Sequence, residues 1–401
     1  MKKLLFVINT MGQAGAETAL IRLLKSLDPE EYEISLYVLM GQGEMIGQVP
    51  SYVRVLNKHY VQESVLTKEG HRRMIRTVLK SYFSNGGMFR KVVYTLKILG
   101  QMLKQGKIAQ DKLLWRVISD GAERFEDTYD LAVAYLEGGA TYYVADHVKA
   151  KKSAAFVHID YGSSGYTRKM DQDCYAGMDR IFAVSEETKE LFAEFYPEWK
   201  DKVWVFRNIL DPEEIREKSK LPGGFPKEEK GFKLLTVGRL THQKAYDIAL
   251  DALDLLRKQG RQVSWYILGE GPERAALEKK REELSLEDAF FLPGAVKNPY
   301  PWYRQTDLYV HATRFEGKSI AIQEAQVLGC AILASDSNGN KEQIVDGVDG
   351  ILCELDAEAI QKSVLKLMDN TDLCKKLGEA AAKKQVVYKE DMEGLLGLVE
   401  G

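Results

Sequence analysis

The feature that most narrows the folds open to this chain is an alternation: short runs of Val, Ile, Leu and Phe recur between longer stretches of helical period. Short apolar runs suit strands buried on both faces, and the stretches between them are long enough to be crossover helices. In the first half the runs stand at 4–9, 34–39, 53–56, 131–136, 153–158, 180–184 and 203–206. After the polar segment 213–230 the pattern starts again, at 233–237, 264–268, 289–292, 308–310, 331–334 and 351–352. The expected architecture is therefore α/β: two doubly wound parallel sheets in tandem, joined near 207–230, with their strand C-termini facing each other across a cleft.

Charge removes whole classes of function. The 401 residues hold 56 Lys and Arg against 59 Asp and Glu, a net −3, so the chain as a whole is neither a basic nucleic-acid binder nor an acidic tail. Cys174, Cys330, Cys353 and Cys374 lie far apart with no C-x-x-C pair, which fits a reducing cytoplasm and gives no zinc site or disulfide framework. No window is apolar for long enough to span a membrane, and the run at residues 4–8 is too short for a signal-peptide core. One segment stands apart. From 68 to 116 there are twelve Lys or Arg against two acids, a local charge of +10, interleaved with apolar residues. It reads as basic amphipathic helices inserted at about 67–119, either as a surface for an anionic membrane or as a solvated face.

The motifs gather at expected strand ends. After the strand at 308–310 comes Phe315-Glu316-Gly317-Lys318-Ser319-Ile320, with Glu324 further on. A helix starting near Ser319 and Ile320 offers free N–H groups and a positive dipole end to a diphosphate, and Glu324 can accept hydrogen bonds from a ribose diol. The bland alternative is a helix cap at Glu316 and a solvated Glu324. The strand at 233–237 leads into Gly238-Arg239 and then Lys244, two cations able to converge on phosphate oxygens. The strand at 264–268 leads into Gly269-Glu270-Gly271-Pro272, whose glycines would leave room for a base or sugar or simply form a turn. In the first half, Gly12 and Gly15 follow strand one without full G-x-G-x-x-G spacing, so NAD binding is disfavoured. His158 ends the fifth strand, where a structural and a functional role are both open.

These pieces, in order along nearly the whole chain, resemble the family 4 retaining glycosyltransferases of GT-B fold. The resemblance rests on Gly15-Ala16-Glu17, His158, Ala183-Val184-Ser185, Arg207-Asn208-Ile209-Leu210-Asp211, Val237-Gly238-Arg239-Leu240 with Lys244, Leu268-Gly269-Glu270-Gly271-Pro272, Leu292-Pro293-Gly294, and the Glu316 and Glu324 pair. It implies an acceptor-binding Rossmann-like domain over 1–207, completed by a C-terminal helix at about 387–401, and a donor-binding domain over 208–386. It also implies transfer of a hexose-type sugar from a UDP- or GDP-sugar to a hydroxyl of a glycan or lipid-linked acceptor, with retention, in surface polysaccharide or glycolipid assembly. Arg239 and Lys244 would hold the diphosphate, Glu324 the ribose, Glu316 the donor sugar, Gly15 a loop over the diphosphate, and His158 the transferred sugar. Gly238, Gly269, Gly271, Lys318, Ser319 and Ile320 complete the donor set. No cofactor or metal is implied beyond the nucleotide-sugar co-substrate, and the expected location is the cytoplasm, on the inner face of the plasma membrane if the basic segment binds lipid.

The sequence departs from that family in three places: Lys244 is followed by Ala245 instead of Gly, Glu316-Gly317 by Lys318-Ser319, and the loop Ser337-Asn338-Gly339-Asn340-Lys341-Glu342 matches the family's Gly-rich turn and Glu only in part. Rival readings are a P-loop at Gly317-Lys318-Ser319, which lacks its first glycine because position 312 is Ala, a sugar-nucleotide epimerase of GT-B architecture, and a silent sugar-nucleotide-binding protein. Asp171 and Asp173 form an Asp-x-Asp pair that could hold a metal, but their polar surroundings suggest a solvated turn or a helix start.

Overall fold

The structure is a computed structural model that describes residues 1–400 except 66, 106–109, 163, 316, 317, 387 and 388. The chain divides into two compact units, Met1–Ile209 with Tyr388–Gly401, and Leu210–Val387.

The first unit is a seven-stranded, wholly parallel sheet of β1 (Lys2–Ile8), β2 (Tyr32–Val38), β3 (Arg54–Val55), β4 (Thr128–Ala134), β5 (Lys149–Val157), β6 (Arg180–Ala183) and β7 (Val203–Val205). Their order is β3-β2-β1-β4-β5-β6-β7, so the sheet changes direction between β1 and β4. Leu4 to Ile8 are fully buried, as a central strand covered by helices on both faces requires. The second unit holds β8 (Phe232–Val237), β9 (Val263–Leu268), β10 (Phe290–Gly294), β11 (Leu308–His311), β12 (Ile332–Ser335) and β13 (Ile351–Cys353), in the order β10-β9-β8-β11-β12-β13. Its switch point lies between β8 and β11. A buried polar chain crosses it: Trp265 Nε1 donates to Thr236 Oγ1 at 3.0 Å, and that hydroxyl donates to Val310 O at 2.7 Å.

All thirteen apolar runs are strands. β5 begins earlier than its apolar part, because Lys149, Lys151 and Lys152 pair with Glu126, Asp130 and Asp179 while their backbone continues the ladder to β4. The basic segment is helical, at Lys68–Phe83, Met88–Gln105, Gln110–Leu113 and Trp115–Gly121. Arg116 stitches it to the unit, donating to Met170 O, Asp171 O and Asp146 Oδ2 at 3.1, 2.6 and 2.5 Å. Asp120, Asp146 and His147 lie close enough to share a metal ion, but Arg116 already pairs with Asp146 and His147 with Asp120 at 3.0 Å. No helix among the described residues is long and apolar enough to cross a membrane.

The solvated turn expected at Asp171 and Asp173 holds only for Asp173, which is exposed. Asp171 is 0% exposed and accepts hydrogen bonds from Tyr142 and Tyr161, each at 2.8 Å, and from Tyr196. Burial raises its pKa, and the three tyrosine hydroxyls oppose that rise. The three tyrosines come from three separate elements, so local polarity could not reveal the cluster.

Candidate functional site

In the second unit the expected donor residues sit on loops at the C-terminal ends of β8, β9 and β11, two of which flank the switch point. Arg239 follows β8, is exposed, and forms no ion pair among the described residues. Lys244 ends a single helical turn, His242–Lys244. Ala245, which follows it, adopts φ +50° and ψ 33°, the left-handed region where glycine is at ease. That backbone explains why a Lys-Gly pair suits this turn. Ala245 bears the strain while its methyl group is fully buried.

The glycines after β9 answer to backbone packing. A Cβ on Gly269 would stand 1.9 Å from Gly238 O, and one on Gly271 would stand 2.3 Å from Leu240 O. The space read from sequence as room for a base or sugar is filled at those two Cβ positions by the neighbouring loop. Leu240 N donates to Glu270 O at 3.0 Å and Glu273 N to Leu240 O at 3.0 Å, so the two loops form one block that carries Arg239. At Gly238 a Cβ would meet Tyr246 Oη at 2.9 Å.

After β11, Glu316 and Gly317 lie outside the described residues. Ser319 caps the helix Ile320–Val327 by accepting from Ile322 N at 3.5 Å, so the cap expected of Glu316 belongs to Ser319. Helix geometry leaves the N–H groups of Ile320 and Ala321 without partners inside the helix. Lys318 is half-buried at this start. Glu324, one turn in, is 7% exposed rather than solvated. Its Oε1 accepts from Tyr300 at 3.1 Å and its Oε2 from Tyr303 at 3.5 Å. Both tyrosines lie on the helix Tyr300–Gln305, which sequence reading had not connected with Glu324.

A second set missed in the sequence joins the β8 and β11 loops. Arg314 donates to Asp247 Oδ1 and Oδ2 at 3.0 and 2.7 Å and to His242 O at 2.6 Å. Gln243 Nε2 donates to Phe315 O at 2.8 Å, and Arg314 N donates to Gln243 O at 2.8 Å. The turn bearing Lys244 is thereby fixed against the loop that leads to Glu316. Asp247 three residues after Lys244, and Arg314 two before Glu316, were the available signal.

In the first unit, Gly15 opens the helix Gly15–Ser26 after β1 and is exposed, with no side-chain cap at Ala14. His158 follows β5, its ring 5.2 Å from that of Tyr135. Burial lowers its pKa to about 4, against an opposing hydrogen bond to the Tyr135 backbone. The ring is therefore neutral at pH 7, and its Nε2 is buried without a partner among the described residues. Glu137, after β4, accepts from His158 N at 3.2 Å, and its own backbone O accepts from Asn9 Nδ2 at 3.2 Å. Asn9 Oδ1 accepts from Ala140 N at 2.8 Å and so caps the helix Gly139–His147. Burial raises the Glu137 carboxyl pKa, opposed by the charge of Lys112. The sequence Glu137-Gly138-Gly139 after an apolar run was its signal.

With this geometry, residues 217–384 match the family described as glycosyl transferases group 1, a span wholly inside the second unit. The second unit thus matches the glycosyl transferases group 1 model over most of its length. The whole chain aligns with the structure of Anabaena Alr3699/HepE in complex with UDP, at TM-score 0.67 and 16% identity with full coverage of both chains. Its fold is GT-B. Among curated relatives, an N-acetylgalactosamine-N,N'-diacetylbacillosaminyl-diphospho-undecaprenol 4-alpha-N-acetylgalactosaminyltransferase of Campylobacter jejuni is 29% identical over 56% of this chain and 61% of its own. A second relative from that organism, GalNAc-alpha-(1->4)-GalNAc-alpha-(1->3)-diNAcBac-PP-undecaprenol alpha-1,4-N-acetyl-D-galactosaminyltransferase, is 24% identical over 93% of this chain and 90% of its own. The chain spans only 61% to 64% of the length of the first curated relatives that it matches.

Proposed function

We propose that the protein is a retaining glycosyltransferase that moves a hexose-type sugar from a UDP- or GDP-sugar to a hydroxyl of a glycan or lipid-linked acceptor, in surface polysaccharide or glycolipid assembly. The observation that carries the reading is the switch point of the second unit. Two cations on the β8 loop and a capped helix start on the β11 loop flank it, and the Glu324 carboxylate is buried and aimed by two tyrosines. Relatives named for transfer onto diphospho-undecaprenol acceptors, and a structural neighbour crystallised with UDP and with UDP-glucose, support the choice of substrates.

Each group has a role in this reading. A carboxylate offers about four lone-pair sites, so Glu324 can receive two tyrosine hydroxyls and still accept both hydroxyls of a ribose. Arg239, Lys244 and the N–H groups at Ile320 meet the diphosphate, whose charge grows as the glycosidic bond to it breaks. Lys318 adds positive charge beside the donor. Glu316 attends the donor sugar. Gly15 belongs to a loop that covers the diphosphate, and a neutral His158 serves the transferred sugar and the acceptor. The acceptor attacks from the face that the diphosphate leaves, and its proton passes to the departing phosphate. Two full charges and a helix dipole supply the electrostatics that a divalent metal gives elsewhere, so the reaction runs without one.

The test is a panel of UDP- and GDP-sugars, scored for thermal stabilisation and then for transfer and hydrolysis. Arg239→Ala and Lys244→Ala should each lower kcat by about 100- to 1,000-fold, because both cations matter most when the leaving group is charged. Glu324→Gln should raise KM more than it lowers kcat, and excess EDTA should change nothing. Wild-type rates in both cation variants would sink the reading. Epimerised donor with no transfer would move it to the epimerase alternative.

A further inference from the structure

Two helices of the first unit present apolar side chains away from its core. In Lys68–Phe83, Met74 and Val78 pack on the core and define the inward face. Ile75, Leu79 and Phe83 recur every fourth residue in a row about 100° around the helix from that face, with Leu79 55% and Phe83 73% exposed. Arg72, Arg76 and Lys80 recur at the same spacing one step around the helix, so a basic row runs beside the apolar one. The helix Met88–Gln105 repeats the arrangement. Ile98 and Met102 face inward, Phe89 and Leu96 are 81% and 62% exposed, and Arg90 and Lys97 lie on the adjoining edge. Arg76, Lys80 and Lys97 form no ion pair among the described residues.

The turn between the helices is fastened. Asn85, Gly86 and Gly87 have φ of 56°, 70° and 68°, and Asn85 Nδ2 donates to Asp120 O and Ala122 O at 3.1 and 2.7 Å. Lys91, nearly buried, donates to Ser81 O and Ser84 O at 2.7 and 2.6 Å and so caps the end of the first helix with a charge. The hydroxyls of Tyr82 and Thr95 meet at 2.7 Å. Phe83, Met88 and Phe89 are thus held in water at the tip of an anchored hairpin.

We infer that this hairpin docks on an anionic lipid bilayer, with Phe83, Met88 and Phe89 entering the boundary between headgroups and acyl chains, and Arg72, Arg76, Lys80 and Lys97 lying over the headgroups. Charge decides among partners. A second copy of the chain would bring one basic row against another. A nucleic acid would use the bases and leave Ile75, Leu79 and Leu96 in water. An anionic bilayer uses both rows at once. The inference is independent of the reaction proposed above, since none of these residues is assigned to donor or acceptor.

The full chain is tested by co-sedimentation with vesicles of phosphatidylcholine alone and of phosphatidylcholine mixed with phosphatidylglycerol. Binding should be confined to the anionic vesicles and fall steeply with salt. Replacing Arg72, Arg76 and Lys80 together by Gln should weaken it on the order of 100-fold, about fivefold per charge, while Arg72→Lys with Arg76→Lys, which keeps all three charges, should leave it nearly intact. Leu79→Ser with Phe83→Ser and Phe89→Ser should remove the part of binding that survives high salt. All of these positions are exposed, and an unchanged melting temperature confirms that each variant is folded. Equal binding to both vesicle types, binding to neither, or a dimer in solution that Leu79→Ser dissolves would each overturn the inference.

Discussion

At His158 burial and hydrogen bonding act in opposite directions, and burial prevails, taking the ring from 6.5 to about 4. Because the folded value lies below the unfolded one, the stability tied to the neutral ring is complete above pH 6.5 and is lost as pH falls towards 4. The melting temperature of the chain should therefore decline over that interval, and His158→Gln, which cannot titrate, should show a flatter profile. Equal slopes in the two proteins would remove His158 from the account. At this scale the sequence is legible where chemistry follows position in the chain. His158 and Arg239 could be placed at strand ends because each follows an apolar run. Asp171 could not be placed, because the groups that bury it, Tyr142, Tyr161 and Tyr196, are each at least ten residues away. Glu137 was missed for a related reason: its contact with His158 passes through a backbone N–H, which leaves no mark on residue type.

The elements were easier to read than their fastenings. Thirteen strands could be found because a parallel strand buried on both faces must be apolar along its length. The clamp between Asp247 and Arg314 carries no such pattern, though it sets where Lys244 stands. Both side chains are partly exposed, so the pair adds only about 0.5 to 1 kcal/mol to stability. Its larger effect should be on geometry. Arg314→Ala and Asp247→Ala should each lower kcat about tenfold with little change in melting temperature, and the double variant should be no worse than either alone. Arg314→Lys should recover little, since an ammonium cannot make the forked contact with the carboxylate and also reach His242 O. Multiplying losses in the double variant would show that the two residues act separately.

Across the whole molecule, the helix Lys389–Glu400 belongs to the first unit although the second unit precedes it in the chain. Asp391 accepts from Arg207 N at 2.7 Å and Nη1 at 3.0 Å, Arg180 Nη1 donates to Gly394 O, and Leu395 is fully buried. Removing residues 389–400 would leave a charged partner without its mate and strip an apolar face, at a cost of about 3 kcal/mol or more. Calorimetry of the shortened chain should show the transition of the first unit lowered and that of the second unmoved. A shift in both, or in neither, would contradict this assignment of the helix.

That same return of the chain governs the order in which the protein can be made. Residues 210–387 are contiguous, so the second unit has all its parts as soon as they leave the ribosome. The first unit, begun earlier, must wait for the last stretch of chain before Arg207 and Arg180 meet their partners. Through that interval the half translated first is the one left unfinished, and its basic hairpin, whose turn is fastened by groups within residues 81–122, is already available to whatever surface the nascent chain meets.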